Sequence, residues 1–298
     1  MIVEENKIKL YKYAFNIGYI KSYCEQNIWL TPVNELNDPF EGHSKIQYHS
    51  PDFLLENPKL LEQMLRLGKT ANMNLTKDKF LEQINSPDFQ AKLNTFQEKK
   101  RSLFSGHGIT SFSSDPSNIP MWTYYAGNHH GYCIEFEMDF KKIQNTTNIS
   151  ETETPRLLRD VVNSDFILSF YLDNHEFVFT KVGYSENIPI IKLEELYNKP
   201  KFEQIEYLVK NCIGVKYKHW QHEKEFRLIA NANSKKSGCL PLPTFAPFLK
   251  FTGLIIGANM PQKYRNKISK LHEKYNFNYK KSVLSDNAYS ISMVDCKN

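Results

Sequence analysis

The sequence contains no run of 18 apolar residues, so no membrane-spanning helix is expected. Its first stretch, MIVEENKIKLYKY, lacks the apolar segment of a signal peptide. The five cysteines, Cys24, Cys133, Cys212, Cys239 and Cys296, are odd in number and never form a CxxC pair. That pattern argues against a disulfide framework and against a zinc site, and it suits reduced thiols in a cytoplasm. No GxSxG elbow, Walker loop, GxGxxG fingerprint or kinase set occurs, which removes the enzyme classes that depend on them. Internal repeats and low-complexity tracts are absent as well.

What is present describes a folded globular protein. Of 298 residues, 41% are hydrophobic, with 20 Phe and 17 Tyr among them, enough for a sizeable core. Lys plus Arg exceeds Asp plus Glu by 38 to 33. The excess is small and spread along the chain. It neither demands nor excludes nucleic acid, and it would not repel a phosphate-bearing ligand.

Along the chain, apolar and polar residues alternate in IKLYKYAF, which predicts a strand. NIGYIKSYCEQN has helical spacing, IWLTPV is a second short strand, and NDPFEG at 37–42 is turn chemistry. In that turn Phe40 is expected as a buried plug, with Asn37 or Asp38 hydrogen-bonding nearby amides. Residues 52–104 carry leucine and phenylalanine at three- and four-residue spacing and predict amphipathic helices. GITSFSSD predicts a strand. PSNIPMWTYYAGNHHG predicts a short helix capped by Ser117 or Asn118, with Pro120 in its first turn. GYCIEFEMD is a strand, and residues 139–165 are expected as an exposed loop. Further strands follow in HEFVFTKVGYS, FTGLIIGANM, NFNYKKSVLS and YSISMVD, with helices at KLEELYNKPKFEQIEYLVKN and PQKYRNKISKLHEKYN. The expected fold is α+β: a single domain, 1–298, with a mixed or antiparallel sheet core and a helical insertion at 52–104.

The stretch WQHEKEFRLI sets two glutamates, Glu223 and Glu225, one residue apart where a strand is predicted to begin. If it is extended from its start, Glu223, Glu225 and Arg227 share one face, opposite Phe226, Leu228 and Ala230. Two carboxylates side by side resist joint ionisation unless Arg227 neutralises them or a ligand uses them. The plain alternative is an ion cluster at a strand edge. LYKY, NDPFEG and MWTYYAG have equally plain readings as core aromatics and a tight turn.

The order LYKY, IWLTPVNELNDPFEG, ITSFSSDPSNIPMWTYYAGNHHGYCIEF and HWQHEKEFRLI resembles the bacterial DUF2971 family. The likeness covers residues 10–42, 109–137 and 215–230. It departs at Ala14, where the family often has arginine. The family name carries no activity. The layout is also similar to ADP-ribosyltransferases: a first strand with basic or aromatic residues (Tyr11, Lys12, Tyr13), a later strand with Ser-x-Ser (Ser111, Ser113), and a last strand headed by Glu-x-Glu (Glu223, Glu225). That resemblance implies NAD as substrate. Cleaving the nicotinamide–ribose bond builds positive charge on the ribose. Glu225 would hydrogen-bond the ribose and stabilise that charge, and Glu223 would position or deprotonate the acceptor. The serines would fix the ribose or brace the glutamate. Tyr11 or Trp122 would sandwich nicotinamide, and Lys12 or His107 would meet a phosphate. The acceptor would be a macromolecule or, in a glycohydrolase, NAD alone, and the setting a toxin or phage-defence effector.

Two other readings stand beside it. A non-catalytic ligand-sensing or partner-binding module would keep the fold without the chemistry. A nuclease, which needs clustered acidic residues with lysine, is echoed only by Glu223-Lys224-Glu225. Metal binding lacks a full ligand set: His129 and His130 diverge on a turn, and His219 and His222 have no third partner.

Overall fold

In a computed structural model of the protein, the described residues are 3–4, 6–71, 74–95, 104, 106–144, 166–172, 175–231 and 238–296. The chain divides into two compact units. The first comprises Met1–Leu36, Gly106–Tyr184 and Lys218–Asn298, and the second Asn37–Ser105 and Ser185–Tyr217. The helical segment expected at 52–104 falls inside the second unit, which begins earlier and also takes in 185–217.

Strands β1 (Val3–Glu4), β2 (Lys7–Ala14) and β3 (Asn27–Pro32) come first, then β4 (Lys45–Gln47) and β5 (His107–Ser113). They are followed by β6 (Tyr132–Asp139), β7 (Ile167–Leu172), β8 (His175–Lys181), β9 (Gly183–Ser185), β10 (Ile190–Lys192) and β11 (Val215–Tyr217). The last are β12 (Glu225–Asn231), β13 (Gly238–Pro241), β14 (Leu249–Ile256), β15 (Asn278–Leu284) and β16 (Ile291–Asp295).

The first unit is built on one mixed, mostly antiparallel sheet in the order β16-β15-β14-β6-β2-β5-β12-β8-β7. Along that path the β14–β15 pair alone is parallel. Parallel neighbours need a crossover, and the helix Gln262–Tyr275 supplies it. Alternation sorts the side chains onto two faces. Ile8, Leu10, Phe112, Ile134, Phe136, Phe226 and Leu228 belong to the large core on one face. Tyr11, Tyr13, Cys133 and Ile255 join Met121, Trp122 and Ala126 in a smaller cluster on the other. The α+β class and the mostly antiparallel mixed sheet match the sequence expectation.

In the second unit, the helices Pro51–Glu56, Pro58–Ala71, Lys77–Ile84 and Pro87–Thr95 realise the predicted amphipathic pattern. They bury Leu54, Leu60, Leu61, Phe80 and Ile84 in a cluster of their own. Ser50 and Thr76 cap two of them by accepting the amides of Phe53 and Lys79. β10 pairs parallel with β4 beside them.

Three expectations need correction or limits. Phe40 is not a plug: it is 63% exposed. The Asp38 carboxylate accepts the Phe40 amide at 2.8 Å, and this Asx turn sends the Glu41 side chain inward instead, where Lys216 neutralises it at 2.9 Å. Of the loop expected at 139–165, Phe140–Gln144 is helical and 145–165 lies outside the described residues. The apolar run ILSFYL, unassigned from sequence, is strand β7.

Candidate functional site

The site grows from register. In the antiparallel pairing of β5 with β12, Ser113 stands opposite Glu225 and Ser111 opposite Arg227. On the other side of β5, Tyr11 of β2 stands opposite Ser113, and Glu135 of β6 opposite Tyr11. Directly opposed residues project from the same face, with Cβ atoms about 4.5–5.5 Å apart. Tyr11, Ser113 and Glu225 therefore form one row across three adjacent strands. Ser111 is a diagonal neighbour of Glu225, at about 7–8 Å. The motifs separated by two hundred residues of sequence are brought together here.

Arg227 answers the question posed by the acidic pair. Its Nε donates to Glu225 Oε1 at 2.7 Å and its Nη2 to Oε2 at 3.3 Å. Both groups are buried, the guanidinium completely. Residues two apart on a strand share a face, so the sequence spacing makes this pair inevitable once β12 is extended. The Glu225 amide donates to the Tyr184 hydroxyl at 3.0 Å, which pins the start of the strand.

Glu223 does not continue that face. The segment Lys218–Glu223 is a 3-10 helix, and Lys224 has φ 47°, a left-handed kink that ends it before β12 begins. Glu223 is still buried, and it accepts a hydrogen bond from the Tyr125 hydroxyl. The expected common face for Glu223 and Glu225 is thus replaced by two environments on either side of one kink. The Lys224 side chain is turned away onto Asp115, at 2.8 Å. Burial opposes the Asp115 carboxylate, but hydrogen bonds from Lys224 and Ser117 outweigh it and hold its pKa below the ordinary value.

Lys12 leaves the row. Strand alternation puts it on the face opposite Tyr11 and Tyr13. There its ammonium donates to the Ser111 carbonyl at 3.1 Å and lies 6.0 Å from the centre of the Phe112 ring. Burial pushes its pKa down to about 8, while the Glu225 charge pulls it back up. Tyr13 donates to the Asp115 carbonyl at 2.6 Å, and burial raises its phenol well above the usual range. Ser113 accepts the Asp115 amide at 3.3 Å and so also shapes the turn after β5.

Trp122 is core, not an open platform. It is fully buried, donates to the Pro116 carbonyl at 2.8 Å, meets Tyr13 edge-on at 5.2 Å and stacks on His129. Its helix, Ile119–Tyr124, is capped by Asn118, whose side chain accepts the Met121 amide and donates to the His222 carbonyl. The helix thereby lies against the same face as the row, tied to the 3-10 segment through Asn118 and Tyr125. The chain then turns through three left-handed residues, Gly127, Asn128 and His129. At Gly131 a Cβ would come within 2.3 Å of the Ala14 carbonyl oxygen, so the YAGNHHG stretch is what lets β6 return beside β2.

The row is closed: Tyr11, Ser113, Glu225 and Arg227 are each under 5% exposed. Among the described residues, no group of three or more His, Cys, Asp or Glu side chains is placed to hold a metal ion. No helix among them is long and apolar enough to cross a membrane. Sequence reading did not single out three contributors: Tyr125, Tyr184 and Glu135. The alternation of GYCIEFEMD held the signal for Glu135, because register with LYKY sets it opposite Tyr11.

Fold and site together define an α+β protein with a mixed sheet and a buried row of tyrosine, serine and paired glutamate. Residues 121–228 match the model of the DUF2971 family, described as "Protein of unknown function". The matched stretch runs from Met121 into β12 and takes in part of the motif order that resembles this family. No curated protein and no solved structure matches the chain. The likeness to ADP-ribosyltransferases rests on residue order and register alone.

Proposed function

We propose that the row Tyr11–Ser113–Glu225 is the substrate site of an NAD-consuming, ADP-ribosyltransferase-like enzyme. One observation carries this reading. The aromatic, serine and glutamate motifs occupy three adjacent strands and fall into direct register on one face. In this reading Glu225 is the group that answers the cation developing on the ribose. Arg227 holds that carboxylate in place through its two hydrogen bonds, as a positioning residue. Ser113 and Tyr11 supply hydroxyls beside it. The acceptor is a macromolecule or water, and a toxin or phage-defence role is one setting for such chemistry.

Because the row is buried, substrate access requires the covering helix Ile119–Tyr124 to move outward with Tyr125. It is tied to the 3-10 segment by the Tyr125–Glu223 and Asn118–His222 bonds and by the ring contact of Tyr124 with His222. Closure that excludes water strengthens every electrostatic contact inside.

A second reading is favoured by the same burial. Glu225 and Arg227 satisfy one another, and the cluster then serves as a polar core that fixes strand register in a non-catalytic binding module. The experiment that separates them is nicotinamide release from NAD by purified protein, wild type against Glu225→Gln. The enzyme reading expects release that falls at least about 100-fold in the variant, the scale of one lost transition-state contact. Absence of release under a broad acceptor screen would leave the polar-core reading.

A further inference from the structure

The positive excess, expected to be spread along the chain, is concentrated in one place. Residues 262–281 hold seven basic side chains and one acidic, an excess of six where the whole chain has +5. Most of them lie on the crossover helix Gln262–Tyr275. The apolar side of that helix faces inward: Ile268 is fully buried in the large core, and Tyr264, Leu271 and Tyr275 pack against it. Lys263, Lys267, Lys270 and Lys274 follow spacings of four, three and four, so they fall on one stripe of the helix. All four are exposed. None of the four has an ion-pair partner among the described residues. The ammonium of Lys263 lies 4.8 Å from the centre of the Tyr264 ring, and that of Lys274 lies 5.0 Å from the Tyr275 ring. Glu273 is the one acidic residue on the helix.

Four like charges along about 16 Å of helix repel one another, and an anion that reaches all of them relieves the repulsion. Successive lysines rise about 4.5–6 Å along the axis of a convex surface, so a lone phosphate meets two at most. The complement is an extended polyanion. The helix also discriminates between kinds of polyanion. A basic amphipathic helix binds a lipid surface by laying its apolar face among the headgroups, and here that face is inside the protein. A single nucleic-acid strand needs lysines for its backbone and aromatic rings for its bases. Such a ring stands at the end of the stripe. β14 and β15 are parallel, so the loop from β15 to β16 leaves the sheet at the same end as the start of the helix. Tyr289 in that loop is fully exposed.

We propose that the stripe Lys263, Lys267, Lys270 and Lys274 binds the phosphate backbone of single-stranded nucleic acid without reading its sequence, and that Tyr289 stacks on a base. This does not depend on NAD cleavage, since binding is read directly. The test is fluorescence anisotropy of the full chain with a short labelled DNA strand of mixed sequence, and with RNA of the same sequence. Binding should be saturable, with a dissociation constant of about 10⁻⁶–10⁻⁴ M at physiological salt. Four contacts that each release about 0.7 counterion give a log–log salt slope of about −3, or a loss of about 50-fold between 50 and 200 mM salt. Lys→Gln at all four positions should bring that slope toward zero, and Lys267→Gln/Lys270→Gln should halve it. Removing the same charge from the second unit, by Lys→Gln at the exposed Lys59, Lys69, Lys77 and Lys79, should leave binding within about twofold. Tyr289→Ala should weaken binding at least about fivefold, the scale of one stacked base. All of these side chains are exposed, so thermal denaturation should be unchanged in every variant. Vesicles of phosphatidylserine and phosphatidylcholine, polyglutamate and a duplex of the same sequence are the competing partners. The proposal is overturned if neither strand binds saturably, or if the four-lysine variant binds like the wild type. It is equally overturned if the second-unit variant loses as much affinity, if Tyr289→Ala changes nothing, or if a competing partner binds more tightly at the same salt.

Discussion

Replacing Arg227 with methionine tests the energetic centre of the site. Methionine keeps much of the side-chain length and apolar contact but removes the guanidinium. Glu225 is then left as a buried carboxylate without the bidentate partner that holds it at 2.7 and 3.3 Å. Taking one member from a buried pair costs about 3–5 kcal/mol, whereas an exposed pair is worth under about 1. Burial decides between them: the Arg227 side chain is 0% exposed and that of Glu225 5%. For a unit of roughly 150–250 residues, each kcal/mol moves the melting temperature by about 2–4 °C, so a fall of about 6–20 °C is expected. The assay is thermal denaturation followed by circular dichroism, with Glu225→Leu/Arg227→Met as the second arm. Two apolar groups in place of the pair should recover most of the loss, because the unpaired charge has gone. A fall under about 4 °C for Arg227→Met, or a double variant no more stable than the single, would refute the reasoning.

Other expectations follow from the same geometry. The folded pKa of Lys12, about 8, lies below its ordinary 10.5, so the unfolded chain binds more protons between those values. The Lys12 contribution to stability should therefore grow as pH climbs through that window, opposed there by the raised thiols of Cys24 and Cys133, so Lys12→Met should make stability fall more steeply with pH than in the wild type when the two are compared by denaturant midpoint. Asp115 has a lowered pKa, so its contribution is present above the ordinary carboxylate value near 4 and lost as pH falls through the folded one. Because Lys224 is exposed, Asp115→Asn should cost under about 1 kcal/mol at pH 7 and progressively less as pH falls below the ordinary carboxylate value, read by urea titration across that range. Trp122→Ala should cost about 3–5 kcal/mol by the same urea titration at pH 7, since it empties a fully buried position; an unchanged midpoint would contradict the core role assigned to it.

Much of this fold could be read from local pattern, and the reasons are visible in particular residues. LYKY and GYCIEFEMD alternate cleanly, so β2 and β6 were legible together with their faces. Ser117 or Asn118 as cap, with Pro120, announced the helix Ile119–Tyr124, and the structure assigns the cap to Asn118. The row itself was legible only as an order of motifs. Register turns that order into neighbours, and register depends on β5 lying between β2 and β12, which no single segment encodes. Two local errors had local causes. Glu223 was read onto the strand because a period of two ignores the left-handed kink at Lys224. Phe40 was read as core because hydrophobicity was weighed without the Asx turn at Asp38, which turns the Glu41 side chain inward. Trp122 and Lys12 show a third limit: composition nominates a ligand-facing residue, but only the face it occupies and the groups it already touches decide the matter.

The most direct test of the central claim is a crystal structure of the protein with a non-hydrolysable NAD analogue. The account predicts the analogue's ribose within hydrogen-bonding distance of Glu225, with the Ser113 and Tyr11 hydroxyls beside it and the Ile119–Tyr124 helix displaced. An analogue bound elsewhere, with Glu225 still clasped by Arg227 beneath an unmoved helix, would contradict it.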